Sequence, residues 1–142
     1  MTRLRKLSTD SRGAAAIEFA LLGPLLISLL LGVLMIGTQM QTYNALRSVA
    51  SDVNRYTVVE YQKQNELNTS EIKLMANSIA RRSPYNLSPD KLDVTVNQET
   101  ISGITGAKKF KLTLSYTPMK VNGLFEAASP TMTESMSIIV AD

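Results

Sequence analysis

The chain has 142 residues, a formal charge of +3, no cysteine and no histidine. Without cysteine there is no disulfide, zinc–thiolate site or iron–sulfur cluster. Without histidine the commonest general base and metal ligand is missing as well, which weighs against most hydrolase and metalloenzyme chemistries.

The charge is unevenly placed. Residues 1–13 hold Arg3, Arg5, Lys6 and Arg12 against Asp10, and residues 14–142 are neutral overall, with 11 basic and 11 acidic side chains. A nucleic-acid-binding domain needs a clustered basic face in its folded part, so no nucleic-acid partner is expected. The local pairs Arg81-Arg82 and Lys108-Lys109 read as ordinary solvated surface.

After this basic leader comes Gly13-Ala14-Ala15-Ala16-Ile17-Glu18-Phe19, and from Phe19 to Gly37 the 19 residues carry no charge. At 1.5 Å per residue they make roughly 28 Å of helix, enough for a bilayer core, so a lipid bilayer is the expected environment. The run is too long for an ordinary secretory signal, and no convincing small-residue cleavage site follows it, so a retained span is expected. Four basic residues before it place the N-terminus in the cytoplasm and the bulk of the chain outside. Glu18 is a lone carboxylate inside the start of that span. An ionisable group there is expensive on insertion and marks a functional site by default. Pro24 removes one helical hydrogen bond, and either a kink or simple tolerance by a membrane helix fits it.

Beyond Gly37 there is no breaker before Lys63. Tyr43, Leu46, Val49, Ala50, Val53 and Tyr56 recur at helical spacing, which extends one helix from about Ala14 to about Tyr61 with an apolar stripe on its second half. The polar run Gln62–Asn68 ends it. A second helix is predicted over Ser70–Arg82, capped by Thr69 or Ser70 and stopped by Ser83-Pro84, with a turn at Ser88-Pro89-Asp90.

Three alternating segments follow. They centre on Leu92, Val94 and Val96; on Phe110, Leu112, Leu114 and Tyr116; and on Met132, Met136, Ile138 and Val140, where Glu134 breaks the parity. They predict an antiparallel sheet with one covered face, the first two strands joined at Ser102–Gly106 and the last preceded by a loop at 119–130. The expected class is α+β: a long N-terminal helix, a second short helix and about three antiparallel strands. The expected domains are a leader at 1–13, a transmembrane helix at 14–37, its amphipathic extension at 38–64 and a small head at 65–142.

The order of basic leader, Gly13, Glu18, Phe19, Pro24 and span, in the form RGAAAIEFALLGPLL, resembles the TadE-like pseudopilins of the tight-adherence (Flp, type IV) pilus system. The likeness covers residues 12–55, and nothing in 65–142 carries a motif. It implies cleavage after Gly13 by a prepilin peptidase, exposing Ala14, with Glu18 and Phe19 as the assembly motif. A glycine there lets an extended backbone enter a protease cleft. Once cut, the amine of Ala14 can pair with Glu18 in one chain or between neighbours.

The resemblance implies a role in pilus assembly, priming or adherence. The head would be periplasmic, and the chain would sit in the bacterial inner membrane or enter the surface fibre. Implied partners are the prepilin peptidase, other pilins or pseudopilins including a possible paralogue, and the inner-membrane assembly platform. No cofactor, metal or catalytic residue is expected. The carboxylate pairs Asp90 with Asp93 and Glu126 with Glu134 are of a kind that loop and strand surfaces carry routinely. A single-pass anchored binding module that is never processed is the alternative.

Overall fold

The computed structural model describes residues 11–101, 106–118 and 130–141. These form helix α1 (Ser11–Gln62), helix α2 (Thr69–Arg81), a short 3-10 turn (Pro89–Lys91) and strands β1 (Leu92–Glu99), β2 (Ala107–Tyr116) and β3 (Met132–Ala141). The chain divides into two compact units, one ending at Gln39 and one starting at Met40. The α+β class and the element order match the expectation. The leader, the connection at 102–105, the loop at 119–129 and Glu126 lie outside the described residues, apart from the leader's last three residues.

The first unit is the apolar half of α1. Its large side chains face outward all round the helix, with Phe19 78% and Leu34 57% exposed. It is the one described helix long and apolar enough to cross a membrane. α1 runs through Pro24 without a break. Proline has no N–H to give the carbonyl four residues back. The hydroxyls nearby turn onto their own helix: Ser28 donates to the Pro24 carbonyl at 2.7 Å and Thr38 to Met35 at 2.9 Å. That satisfies a polar group where water is scarce.

In the second unit α1 becomes one-sided. Leu46, Val49, Ala50 and Val53 are completely buried, while Tyr43 and Tyr56, expected on the same stripe, lie on its margins at 44% and 37% exposure. Both are amphipathic and sit where the apolar stripe meets a polar margin. The core also takes Ile72, Ala76 and Ala80 from α2, Leu87 from the connection, and Val94, Phe110, Leu112, Leu114, Ile138 and Val140 from the sheet.

The sheet is an antiparallel meander in the order β1-β2-β3. Its register sets Val94 opposite Leu114 and Phe110 opposite Ile138, so the apolar parities fall on one face. Glu134 belongs to that inner face, opposite Leu114. It is tolerated there because it lies half-buried toward one end of the strand, where the Tyr43 hydroxyl donates to it at 3.2 Å. The outer face is polar, and its Lys109 pairs with Glu99 at 2.8 Å. Lys108 pairs with Glu66, so the Lys108-Lys109 pair is engaged rather than merely solvated.

The polar stretch after α1 is heavily bonded. Glu60 is almost buried, and its carboxylate accepts from Asn65 at 2.7 Å and from Lys63 at 2.9 Å. The Tyr61 hydroxyl donates to the Leu67 carbonyl at 2.9 Å, and its ring leans on Phe110 with centroids 6.3 Å apart. α2 then starts one residue earlier than predicted. Its cap is Asn68, whose side chain accepts from the backbone of Ser70 and Glu71, while Glu71 reaches back to the Asn68 N–H at 2.8 Å. This reciprocal box satisfies donors that a lone Thr69 or Ser70 cap would leave open. At the other end, Tyr85 donates to Asp52 of α1 at 2.7 Å.

The Asn65 amide, and next the Lys63 ammonium, hold the Glu60 carboxyl below the ordinary carboxylate range. A lowered folded value means that ionised Glu60 stabilises the fold fully above its unfolded pKa of about 4.3. That contribution is lost as pH falls through the lowered folded value. Acid unfolding of the wild type therefore steepens below about pH 4.3. Glu60→Gln, less stable at neutral pH, shows a shallower acid loss by thermal melting at stepped pH. Because Lys109 holds Glu99 low in the same way, the variant's slope is reduced and not abolished. Equal slopes in the two proteins would refute the role of Glu60.

Candidate functional site

Gly13, Ala14, Glu18, Phe19 and Pro24 all lie on α1, and all are exposed. The backbone of α1 sets their relation. Ala14 and Glu18 are four residues apart, one turn along the same helical face. Phe19 follows at 78% exposure, with Ile17 at 64% on the other side of Glu18. The carboxylate thus stands between two large apolar side chains, with no basic residue within the turns that follow until Arg47.

α1 is already helical at Ser11, the first described residue, so the Gly13–Ala14 bond lies within the described helix. A protease cleft takes extended chain, so cutting there requires this stretch to open. Gly13 favours that: glycine is about 1 kcal/mol poorer than alanine in a helix interior.

Nothing in the chain itself calls for glycine there. A Cβ at Gly13, Gly23, Gly32 or Gly37 would meet no atom within 4 Å.

Moving the chain's start to Ala14 changes the electrostatics of the end. Glu18 is the eighth residue of α1 as it stands and the fifth of a helix starting at Ala14. The unpaired N–H groups and the positive pole of the helix then sit a single turn from the carboxylate. A new α-amino group, with an ordinary pKa of about 7.7–8.0, would stand beside them. Such a start would present an anionic group to a positive chain end, which is chemistry for pairing.

Of the other carboxylates singled out from the sequence, Asp90 is in the 3-10 turn and Asp93 on the outer face of β1, and the two line one shallow depression. Glu134 accepts from Tyr43, and Glu126 lies outside the described residues. Among the described residues, no group of three or more acidic side chains is arranged to hold a metal ion. The Asn68 box and the Tyr43–Glu134 contact escaped the sequence reading. The box could have been found from Asn68 standing three residues before Glu71; the contact bridges 91 residues and has no local signal.

Comparison with known proteins gives one match: a family model described as TadE-like protein aligns to residues 13–55. Its first matched residue is Gly13, and it spans Glu18, Phe19, Pro24, the apolar half of α1 and the first two turns of the buried stripe. It covers somewhat under a third of the chain and leaves α2 and the sheet outside. No curated protein and no solved structure matches the chain.

Proposed function

We propose, with the TadE-like character of residues 13–55 as the premise, that the chain is a pseudopilin or minor pilin of a tight-adherence pilus machine. In this reading it is made with a cytoplasmic leader, cut after Gly13 by a prepilin peptidase and held in the inner membrane by the apolar half of α1. Its second unit lies on the periplasmic side and acts in assembly, priming or adherence. Its partners are the peptidase, other pilins or pseudopilins and the inner-membrane platform. The observation that carries the reading is the coincidence at Gly13: the family match starts there. The positive leader ends there, and a glycine unneeded by the fold stands there.

Cleavage at this position takes away the basic leader and keeps the span, which ordinary signal processing does not do. The mature N-terminus measured by mass spectrometry, with and without the peptidase, tests it. Ala14 as first residue, in cells with the peptidase only, is the expected result. Met1 or Thr2 in both would overturn the reading and favour an unprocessed anchored module. Gly13→Leu sharpens the test. A side chain at this position has open space and improves the helix, so the fold accepts it. The variant is expected in the membrane at normal level and uncut.

A further inference from the structure

The described carboxylates of the second unit are nearly all engaged. Asp52 accepts from Tyr85, Glu60 from Asn65 and Lys63, Glu66 from Lys108, Glu71 from the Asn68 backbone, Glu99 from Lys109 and Glu134 from Tyr43. Asp90 and Asp93 are the exceptions. Both are exposed, and neither has a hydrogen bond or ion pair among the described residues. With Lys91, Thr117 and Pro118 they line a shallow depression where β1 begins, and its net charge is negative by one. A second shallow depression, on the outer side of α2, is lined by Leu74, Asn77, Ser78, Arg81 and Arg82. Both arginines are exposed and lack a carboxylate partner among the described residues. Their place at the C-terminal end of α2 suits the helix dipole. The dipole does not account for Leu74, which is 70% exposed in the middle of the same helix.

We propose that these two depressions are the two halves of a contact between copies of this chain: the Arg81-Arg82 face of one copy docks on the Asp90/Asp93 face of the next. This rests on the reading of the chain as an assembly subunit. The charges choose the occupant. Two arginine faces repel each other, and so do two aspartate faces, whereas one of each pairs a guanidinium fork with a carboxylate. Leu74 and Pro118 supply an apolar contact beside the charges. Where the halves meet head to tail, each copy keeps one half free for the next, and the contact propagates from copy to copy.

The chain's lack of cysteine gives a clean test in full-length protein in its own membrane. Two differently tagged copies carry Ser78→Cys and Thr117→Cys and are treated with oxidant. The expected product is a disulfide between the two tags, in excess of either like-with-like product. Arg81→Glu with Arg82→Glu on the Ser78→Cys copy lowers the yield roughly tenfold, as two exposed ion pairs should. Asp90→Lys with Asp93→Lys on the other copy restores it.

Absence of the mixed product with both copies at normal level overturns the proposal. So does a dominant like-with-like product, or capture of a different protein by Ser78→Cys. The N-terminus of the same material separates this result from the functional reading. An uncut chain that cross-links keeps the contact and loses the pilin, and an Ala14 chain that does not cross-link does the reverse.

Discussion

Glu18→Ala inserts in the membrane, is cut at Gly13, and fails to join the assembly. Surface pili and adherence fall to the level of a strain lacking the chain. The reason lies in what surrounds the carboxylate. It is exposed on α1 between Ile17 and Phe19, one turn from the amine that the proposed cleavage would create at Ala14. In water such a pair is worth little. Away from water an isolated carboxylate is strongly penalised, and a positive partner relieves that penalty. In the proposed function, removing Glu18 would leave the new amine without a counter-charge at the point where a neighbouring helix settles. The substitution leaves the second unit intact, since Glu18 belongs to the first. Glu18→Gln keeps the size and loses the charge, so it should behave like alanine if pairing is the role. Normal pili from either variant would refute that role.

Leu112→Ala has the largest expected effect on stability. Leu112 is wholly buried on the central strand β2, between Val96 of β1 and Met136 of β3, in the core shared with α1 and α2. A buried leucine cut to alanine costs about 2–5 kcal/mol, of the same order as the stability of a small domain. The thermal midpoint of the second unit in detergent-solubilised protein should fall by roughly 10 °C or more. Ile139→Ala on the polar face of β3, where the side chain is 56% exposed, is the control and should change stability by less than about 0.5 kcal/mol. A similar loss in both variants would mean that the outer face of the sheet is covered.

The parts of this architecture that were legible in the sequence are those set by periodicity. The apolar run and the stripe at Leu46, Val49, Ala50 and Val53 give α1, and the alternation at Phe110, Leu112 and Leu114 gives β2. Misreadings arose where a side chain bonds to backbone or to a distant partner. Asn68 caps α2 in place of Thr69 or Ser70 because the box with Glu71 satisfies more donors. Glu134 spoils the alternation of β3 on paper, and the Tyr43 hydroxyl brings it into line. Four of the fifteen buried apolar core residues come from α1 and the other eleven from residues 65–142, so the head packs on the helix extension. At the candidate site the order of residues was readable in full, because leader, glycine, carboxylate and span are written consecutively. That the helix already includes Gly13 was not readable, since helix ends depend on caps and surroundings more than on composition.

The apolar half of α1 also constrains how this protein can travel. Thirteen large apolar side chains between Ile17 and Ile36 are exposed on the chain taken alone. Putting them in water would cost on the order of 20 kcal/mol, far beyond what thermal motion supplies. A chain carrying this helix therefore has no free aqueous intermediate. It can leave one greasy environment only by being handed directly into another.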